Sequence, residues 1–281
     1  MEYVVLNNGI KMPILGFGVY QISDKKQCEK AVLDAIQTGY RLIDTAMSYH
    51  NEEAVGQAVA ECGIPRNEFF ITTKLWLADA GYDKTMKAFE TSLKKLKLEY
   101  LDLYLIHQPI GDYYGSWRAM EKLYEDGVIR AIGVANFMPD RLVDLLINNE
   151  IPPAINQVEV NPFCQRTFDQ QIMQKKDVQI QSWGPFAEGR NGLFENNVLK
   201  SIGEKYNKSV AQIVLRWLIQ RGVICIPKSE NSERIKENFN AFDFVLDESD
   251  MVLIATLDTG KSCFFSHQDP KVVERLCGLV H

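Results

Sequence analysis

The sequence predicts an α/β protein: a single (β/α)8 TIM barrel over residues 1–281, with an N-terminal β-hairpin cap and an extra C-terminal helix. Three observations point there. Short β-rich apolar runs alternate with helical patterns along the chain. No linker or change of composition divides the 281 residues, and barrels of this class run to about 250 residues as one domain. Polar residues stand at the C-terminal ends of the apolar runs, the ends that a barrel gathers on one face. A doubly wound open sheet would give the same alternation, so the pattern by itself leaves that choice open.

The elements follow in order. Residues 3–6 and 10–12 flank Asn8-Gly9, a strong hairpin turn signal. Eight strand-like runs come next, at 14–19, 41–45, 69–73, 101–106, 129–134, 154–160, 178–183 and 223–227. Most start about thirty residues after the one before, the length of a βαβ unit. Helical rhythms fill the gaps. Ala31, Val32, Ala35 and Ile36 recur along 28–38, and Met86, Phe89, Leu93 and Leu96 form one stripe of 85–98. Lys94, Lys95 and Lys97 lie off that stripe, as a solvated face would. Residues 114–126, 140–149 and 209–220 follow the same logic, and Gly39, Gly63, Gly127 and Gly222 stand where helices should stop. Residues 188–197 and 258–281 fall outside the repeat. Between them, 247–257 form the expected extra helix, with Asp247 as N-cap.

Composition narrows the function classes. With 46% hydrophobic and 24% charged residues, the chain has ample material for a large core. A net charge of −6 and the lack of any long Lys/Arg run argue against nucleic acid and anionic membranes as partners. Six scattered cysteines without a C-x-x-C pair suit free thiols in a reducing cytosol. Four histidines give a metal site little to work with, so none is expected. No signal-peptide pattern or membrane-span run is present, and a cytoplasmic monomer acting on a small molecule is the expectation.

The ends of the strand-like runs carry the chemistry. Asp44, Lys74, His107, Asn136 and Lys228-Ser229 each follow or end such a run, Trp183 ends another, and Gln157 lies inside one. Buried strands do not need Asp, Lys or His there for stability. A lysine inside a barrel is costly unless a carboxylate pairs with it, and Asp44 can supply that charge. The ammonium would then lower the pKa of a neighbouring Tyr49, which could donate a proton to an oxygen gaining negative charge. His107 could hydrogen-bond the same oxygen. Such a site polarises and protonates a carbonyl, and it needs a hydride donor. Taken singly, Tyr49 reads as a structural tyrosine, Lys74 as a surface residue and His107 as a core histidine; the constellation argues for chemistry. His50 and His267 keep the structural reading.

Gly39-Tyr40-Arg41-Leu42-Ile43-Asp44-Thr45-Ala46, then Tyr49 and Asn51-Glu52-Glu53-Ala54-Val55-Gly56, resembles the most distinctive signature of the aldo-keto reductases. Ile71-Thr72-Thr73-Lys74-Leu75-Trp76 and Leu103-Tyr104-Leu105-Ile106-His107-Gln108-Pro109 resemble that family's lysine and histidine segments. The likeness spans Gly9 to about Asn238. It implies a barrel that reduces aldehydes or ketones with NADPH, with Tyr49 as proton donor and Asp44, Lys74 and His107 completing the catalytic set. Asn136 and Gln157 would then hold the nicotinamide carboxamide, and Trp183 would stack on its ring, where the family often has Tyr. Gly184, Pro185 and Phe186 would follow as cofactor contacts. Pro227, Lys228, Ser229, Arg234, Glu237 and Asn238 would form the adenosine-phosphate site. The cations Lys228 and Arg234 near a helix N-terminus suit the 2′-phosphate of NADPH. Gly18 and Val19 would approach the cofactor, although Gly16-x-Gly18 equally fits glycines easing a tight strand end. It lacks the third glycine of a Rossmann fingerprint. Tyr20, Trp76, His107 and Gln108 would wall the substrate pocket, with Phe264 and Phe265 undecided.

The sequence departs from the family in three places. Ala135 stands where Ser is common, removing one hydrogen bond to the carboxamide. Gln108 replaces a common Trp, which makes that wall more polar. The tail after Asp258 is short, which implies an open pocket. The alternative function is an NADPH-binding, redox-sensing regulatory subunit, since barrels of this kind also serve potassium channels; the complete Asp-Tyr-Lys-His set favours an enzyme.

Overall fold

The computed structural model describes residues 2–279; Met1 and the last two residues of the expected tail lie outside them. Gly9 takes φ +83°, and Leu6 exchanges backbone hydrogen bonds with Ile10 and Gly9. The turn therefore uses more residues than Asn8-Gly9 alone. The flanking strands β1 (Tyr3–Val5) and β2 (Lys11–Pro13) pair antiparallel, with Val4 opposite Met12. Asn7 Nδ2 and Asn8 Nδ2 donate to the carbonyls of Pro153 and Arg130, both just ahead of barrel strands. The hairpin thus caps the N-terminal end of the barrel.

Eight parallel strands follow in chain order: β3 (Phe17–Gly18), β4 (Leu42–Asp44), β5 (Phe70–Leu75), β6 (Leu103–Ile106), β7 (Ile132–Ala135), β8 (Ile155–Glu159), β9 (Gln179–Trp183) and β10 (Ile224–Cys225). The two edges of this sheet meet. Leu15 bridges Cys225 in parallel, Gly16 N donates to Cys225 O at 2.9 Å, and Gly18 N donates to Pro227 O at 3.1 Å. Those bonds close a barrel and settle the choice against an open sheet. Closure is tight, since a Cβ on Gly18 would stand 2.9 Å from the Ile226 carbonyl oxygen.

Helices α1 (Lys25–Thr38), α2 (Glu52–Glu61), α3 (Tyr82–Leu96), α4 (Tyr113–Glu125), α5 (Pro139–Ile147) and α6 (Thr167–Lys175) connect successive strands. Two helices, α7 (Asn197–Tyr206) and α8 (Val210–Gln220), share the last connection, and α9 (Ser232–Phe239) follows β10. The starts obey local chemistry. Asp24 accepts from Gln27 N at the head of α1, and Ser209 with Gln212 forms a capping box on α8. Gly39, Gly63, Gly127 and Gly222 all adopt positive φ just past helix ends. The helix expected over 85–98 begins and ends earlier, because Lys97 turns left-handed at φ 56°. Phe89 and Leu96 are buried while Lys94 and Lys97 are exposed, as an amphipathic helix on a sheet requires.

Two C-terminal helices complete the chain. The expected extra helix is α10 (Glu248–Ala255), capped by Asp247 in a box with Asp250. A second, α11 (Pro270–Cys277), lies in the tail, where sequence reasoning expected no element; Asp269 caps it and Pro270 opens it. Among the described residues no helix is long and apolar enough to cross a membrane, no His/Cys/Asp/Glu cluster could hold a metal, and the six cysteines are free.

Candidate active site

The C-terminal ends of the barrel strands open into one cleft of about 1690 Å³. Strand β5 runs two residues past the expected end, so Lys74 lies within the ladder opposite Leu105 rather than after it. Its side chain is fully buried. Lys74 Nζ donates to Asp44 Oδ1, to Thr45 O at 2.8 Å and to Tyr49 Oη at 3.4 Å. Gln157 Nε2 donates to the other carboxylate oxygen, Asp44 Oδ2, at 2.8 Å. Four barrel-end residues from three strands and one loop are thereby locked together.

Burial pushes the Asp44 carboxyl above its usual range and the Lys74 ammonium below its own, against the pull of their mutual attraction. An ammonium with a depressed pKa is a stronger hydrogen-bond donor to Tyr49. The phenol of Tyr49 is pushed well above its usual value, first by burial, then by Asp44 and by Tyr20. This corrects the expectation that Lys74 lowers it. Asp44 neutralises the ammonium, and the remaining attraction across 3.4 Å does not offset desolvation. Tyr49 therefore stands protonated at ordinary pH.

The loop carrying Tyr49 is fixed by Asn51, whose Nδ2 donates to the carbonyls of Val19 and Ile22 and whose Oδ1 accepts from Thr45 Oγ1. The ring of Tyr49 lies 4.9 Å from that of Tyr20 and 5.7 Å, edge on, from His107. Ser48 Oγ sits 3.3 Å from His107 Nδ1, and the Trp76 ring meets His107 edge on at 5.3 Å. Gln108 is buried, and its Oε1 has no hydrogen-bond partner among the described residues. A polar acceptor thus lines the wall where the sequence suggested one.

Asn136 and Gln157 both line the cleft. Asn136, left-handed at φ 64°, donates from Nδ2 to His107 O at 3.0 Å and accepts at Oδ1 from Trp183 Nε1 at 2.8 Å. Gly18, Tyr20, Trp76, Gly184, Pro185 and Phe186 join them, and Lys228, Ser229, Arg234, Glu237 and Asn238 line the far end. Val19 and Pro227 are buried away from the cleft. At the far end Asn231 Oδ1 caps α9, accepting from the amides of Glu233 and Arg234 at 3.0 Å each. Lys228 Nζ donates to Glu230 Oε1 at 2.7 Å.

Several lining residues escaped sequence reasoning. Gln21 and Glu188 reach across the cleft, with Gln21 Nε2 donating to Glu188 Oε1 at 3.2 Å. Nothing local signals a contact between positions so far apart. The cap residue Asn231, ahead of Ser232-Glu233, was a readable helix start. The expectation of an open pocket needs correction. Phe264, Phe265, His267, Leu276 and Leu279 all line the cleft, and Trp76 Nε1 donates to Leu279 O at 3.2 Å. The tail is short, yet α11 folds back over the barrel mouth. Phe264 and Phe265 are therefore pocket walls, and Phe264 packs 5.1 Å from Trp183.

A model of the "Aldo/keto reductase family" matches residues 14–259. The chain belongs to that family. The reductase is 48% identical to the "Glyoxal reductase" of Bacillus subtilis over 258 residues, 92% of this chain and 93% of the relative. A crystal structure of an aldo-keto reductase enzyme from a Medee basin deep-sea metagenome library superposes with a TM-score of 0.91 at 44% identity, covering 95% and 98% of the two chains. An aldo-keto reductase of Bombyx mori, solved in complex with NADP, superposes with a TM-score of 0.90 at 36% identity, covering 94% and 95%. The reductase is thus an oxidoreductase of carbonyl groups, built as a (β/α)8 barrel.

Proposed function

We propose that the chain reduces aldehydes or ketones to alcohols with NADPH, using Tyr49 as the proton donor. The observation that carries this is the placement of one buried ammonium, Lys74, against both Asp44 and Tyr49 Oη. The cleft suits the cofactor. Its lining runs from Tyr49 and His107 past Gly18 to Arg234. Asn136, Gln157 and Trp183 would hold the nicotinamide end, with Gly184, Pro185 and Phe186 beside them. Lys228, Ser229, Arg234, Glu237 and Asn238 would hold the adenosine end. Bound there, the nicotinamide supplies the hydride.

The remaining work falls to the chain. Tyr49 keeps its proton until the carbonyl oxygen gains charge, then releases it to that oxygen. Lys74 stabilises the phenolate left behind, and Asp44 with Gln157 holds Lys74 in place. His107 orients the carbonyl by a hydrogen bond. Tyr20, Trp76 and Gln108 bound the space available to the substrate. Small carbonyl compounds of the glyoxal kind are the first to test, in keeping with the Bacillus subtilis relative. The cleft is complete within one chain, which supports a working monomer, and the free thiols of its cysteines suit the reducing cytoplasm.

Replacing Tyr49 with Phe removes the transferable proton and little else. Carbonyl reduction should disappear while NADPH still binds, measured by turnover and by cofactor fluorescence titration. Near wild-type turnover in Tyr49→Phe would sink the assignment.

A further inference from the structure

The far end of the cleft is less cationic than the residues Lys228 and Arg234 suggest. Glu230 lines the same cleft as both. Its Oε1 accepts from Lys228 Nζ at 2.7 Å, and its Oε2 accepts from Gln27 Nε2, a residue of the neighbouring helix α1. The carboxylate is thus held at both oxygens and aimed by two elements that meet only in the folded barrel. Glu233, beside it, is taken up by Lys236 at 3.0 Å, and the first free amides of α9 are already capped by Asn231.

We propose that Glu230 sets cofactor choice in this reductase, making it accept NADH alongside NADPH. This rests on the adenosine end lying at Lys228–Asn238, as proposed above. A 2′-phosphate arriving there meets an ammonium already shared with a carboxylate. It must displace Glu230 from Lys228 or tolerate a like charge beside it, and either cost falls on NADPH alone. For NADH the same carboxylate is an acceptor for the ribose 2′-hydroxyl, the role that an acidic residue plays in other NAD sites. Arg234 meanwhile remains exposed and available to a phosphate. One site therefore holds a partner for each form, an acid for the hydroxyl and a guanidinium for the phosphate.

Fluorescence-quenching titrations of the full chain with NADPH and with NADH test this, alongside calorimetry with 2′,5′-ADP and 5′-AMP. The two fragments carry the adenosine end without the reacting ring. In the unmodified protein the two cofactors should bind within about tenfold of one another. Glu230→Gln should tighten NADPH and 2′,5′-ADP by about tenfold and weaken NADH, with 5′-AMP following NADH. A preference for NADPH above about a hundredfold in the unmodified protein would overturn the inference. So would an unchanged ratio in Glu230→Gln while Arg234→Ala weakens NADPH, a result that leaves the adenosine site standing. If neither substitution alters the binding of any of the four ligands, the placement of the adenosine end falls as well.

Discussion

At the barrel end of the cleft the Lys74 ammonium is wholly buried and shares three acceptors, whereas at the helix end the Lys228 side chain is 32% exposed and shares one. Both are lysines paired with a carboxylate. The first pair sits where water cannot relax the charges, so each partner depends on the other and their protonation shifts. The second is screened, adds little to stability, and leaves its ions free to answer a ligand. On the proposed function, the same two residue types would serve as a fixed part of the reaction at one end and an adjustable recognition element at the other.

Breaking the buried pair should have the largest effect. Lys74→Met strands Asp44 in the barrel, which costs about 3–5 kcal/mol where one partner of a buried pair is removed. Thermal melting and turnover should both drop. If Lys74→Met melts and turns over like the unmodified protein, the contrast between the two ends is wrong.

At the exposed end the effects belong to binding rather than folding. Arg234→Ala should weaken NADPH about tenfold with little change for NADH or for the melting temperature. Added salt should narrow that gap, since contacts at an exposed helix start are screened. Equal weakening of both cofactors would remove the 2′-phosphate from this site.

The last effect concerns the tail and is read as a slope against pH. Burial, with Arg166 nearby, pulls the His267 imidazole down to about 4 from 6.5. A group depressed in the folded state contributes stability above its unfolded pKa, and that contribution is lost as pH falls through the folded value. Stability should therefore decline between pH 6.5 and 4, and His267→Gln should flatten that part of the profile in melts followed against pH. A slope left unchanged by the substitution would assign it to carboxylates elsewhere.

The proposed catalytic set could be picked out because its members stand at or near strand ends, and Asp44, Tyr49, Lys74 and His107 do come together at the cleft. Helix ends were legible too, since Ser209, Asp247 and the glycines past the helices act through their immediate neighbours. The hairpin strands expected at 3–6 and 10–12 were each off by a residue because Leu6 and Ile10 joined the turn. The direction of the Tyr49 shift was not legible: charge can be read from a sequence, but depth of burial cannot. Gln27 aiming Glu230, and Leu279 meeting Trp76, each join positions some two hundred residues apart. No pattern in the chain foretells such contacts.

The seam where the barrel closes has a kinetic consequence. Leu15, Gly16 and Gly18 reach Cys225 and Pro227 from the other end of the chain. Every other strand pair can form from neighbours in sequence, but this one must wait for the intervening strands to be in place. We expect its hydrogen bonds to form after the folding nucleus, so weakening them should speed unfolding while refolding keeps its rate.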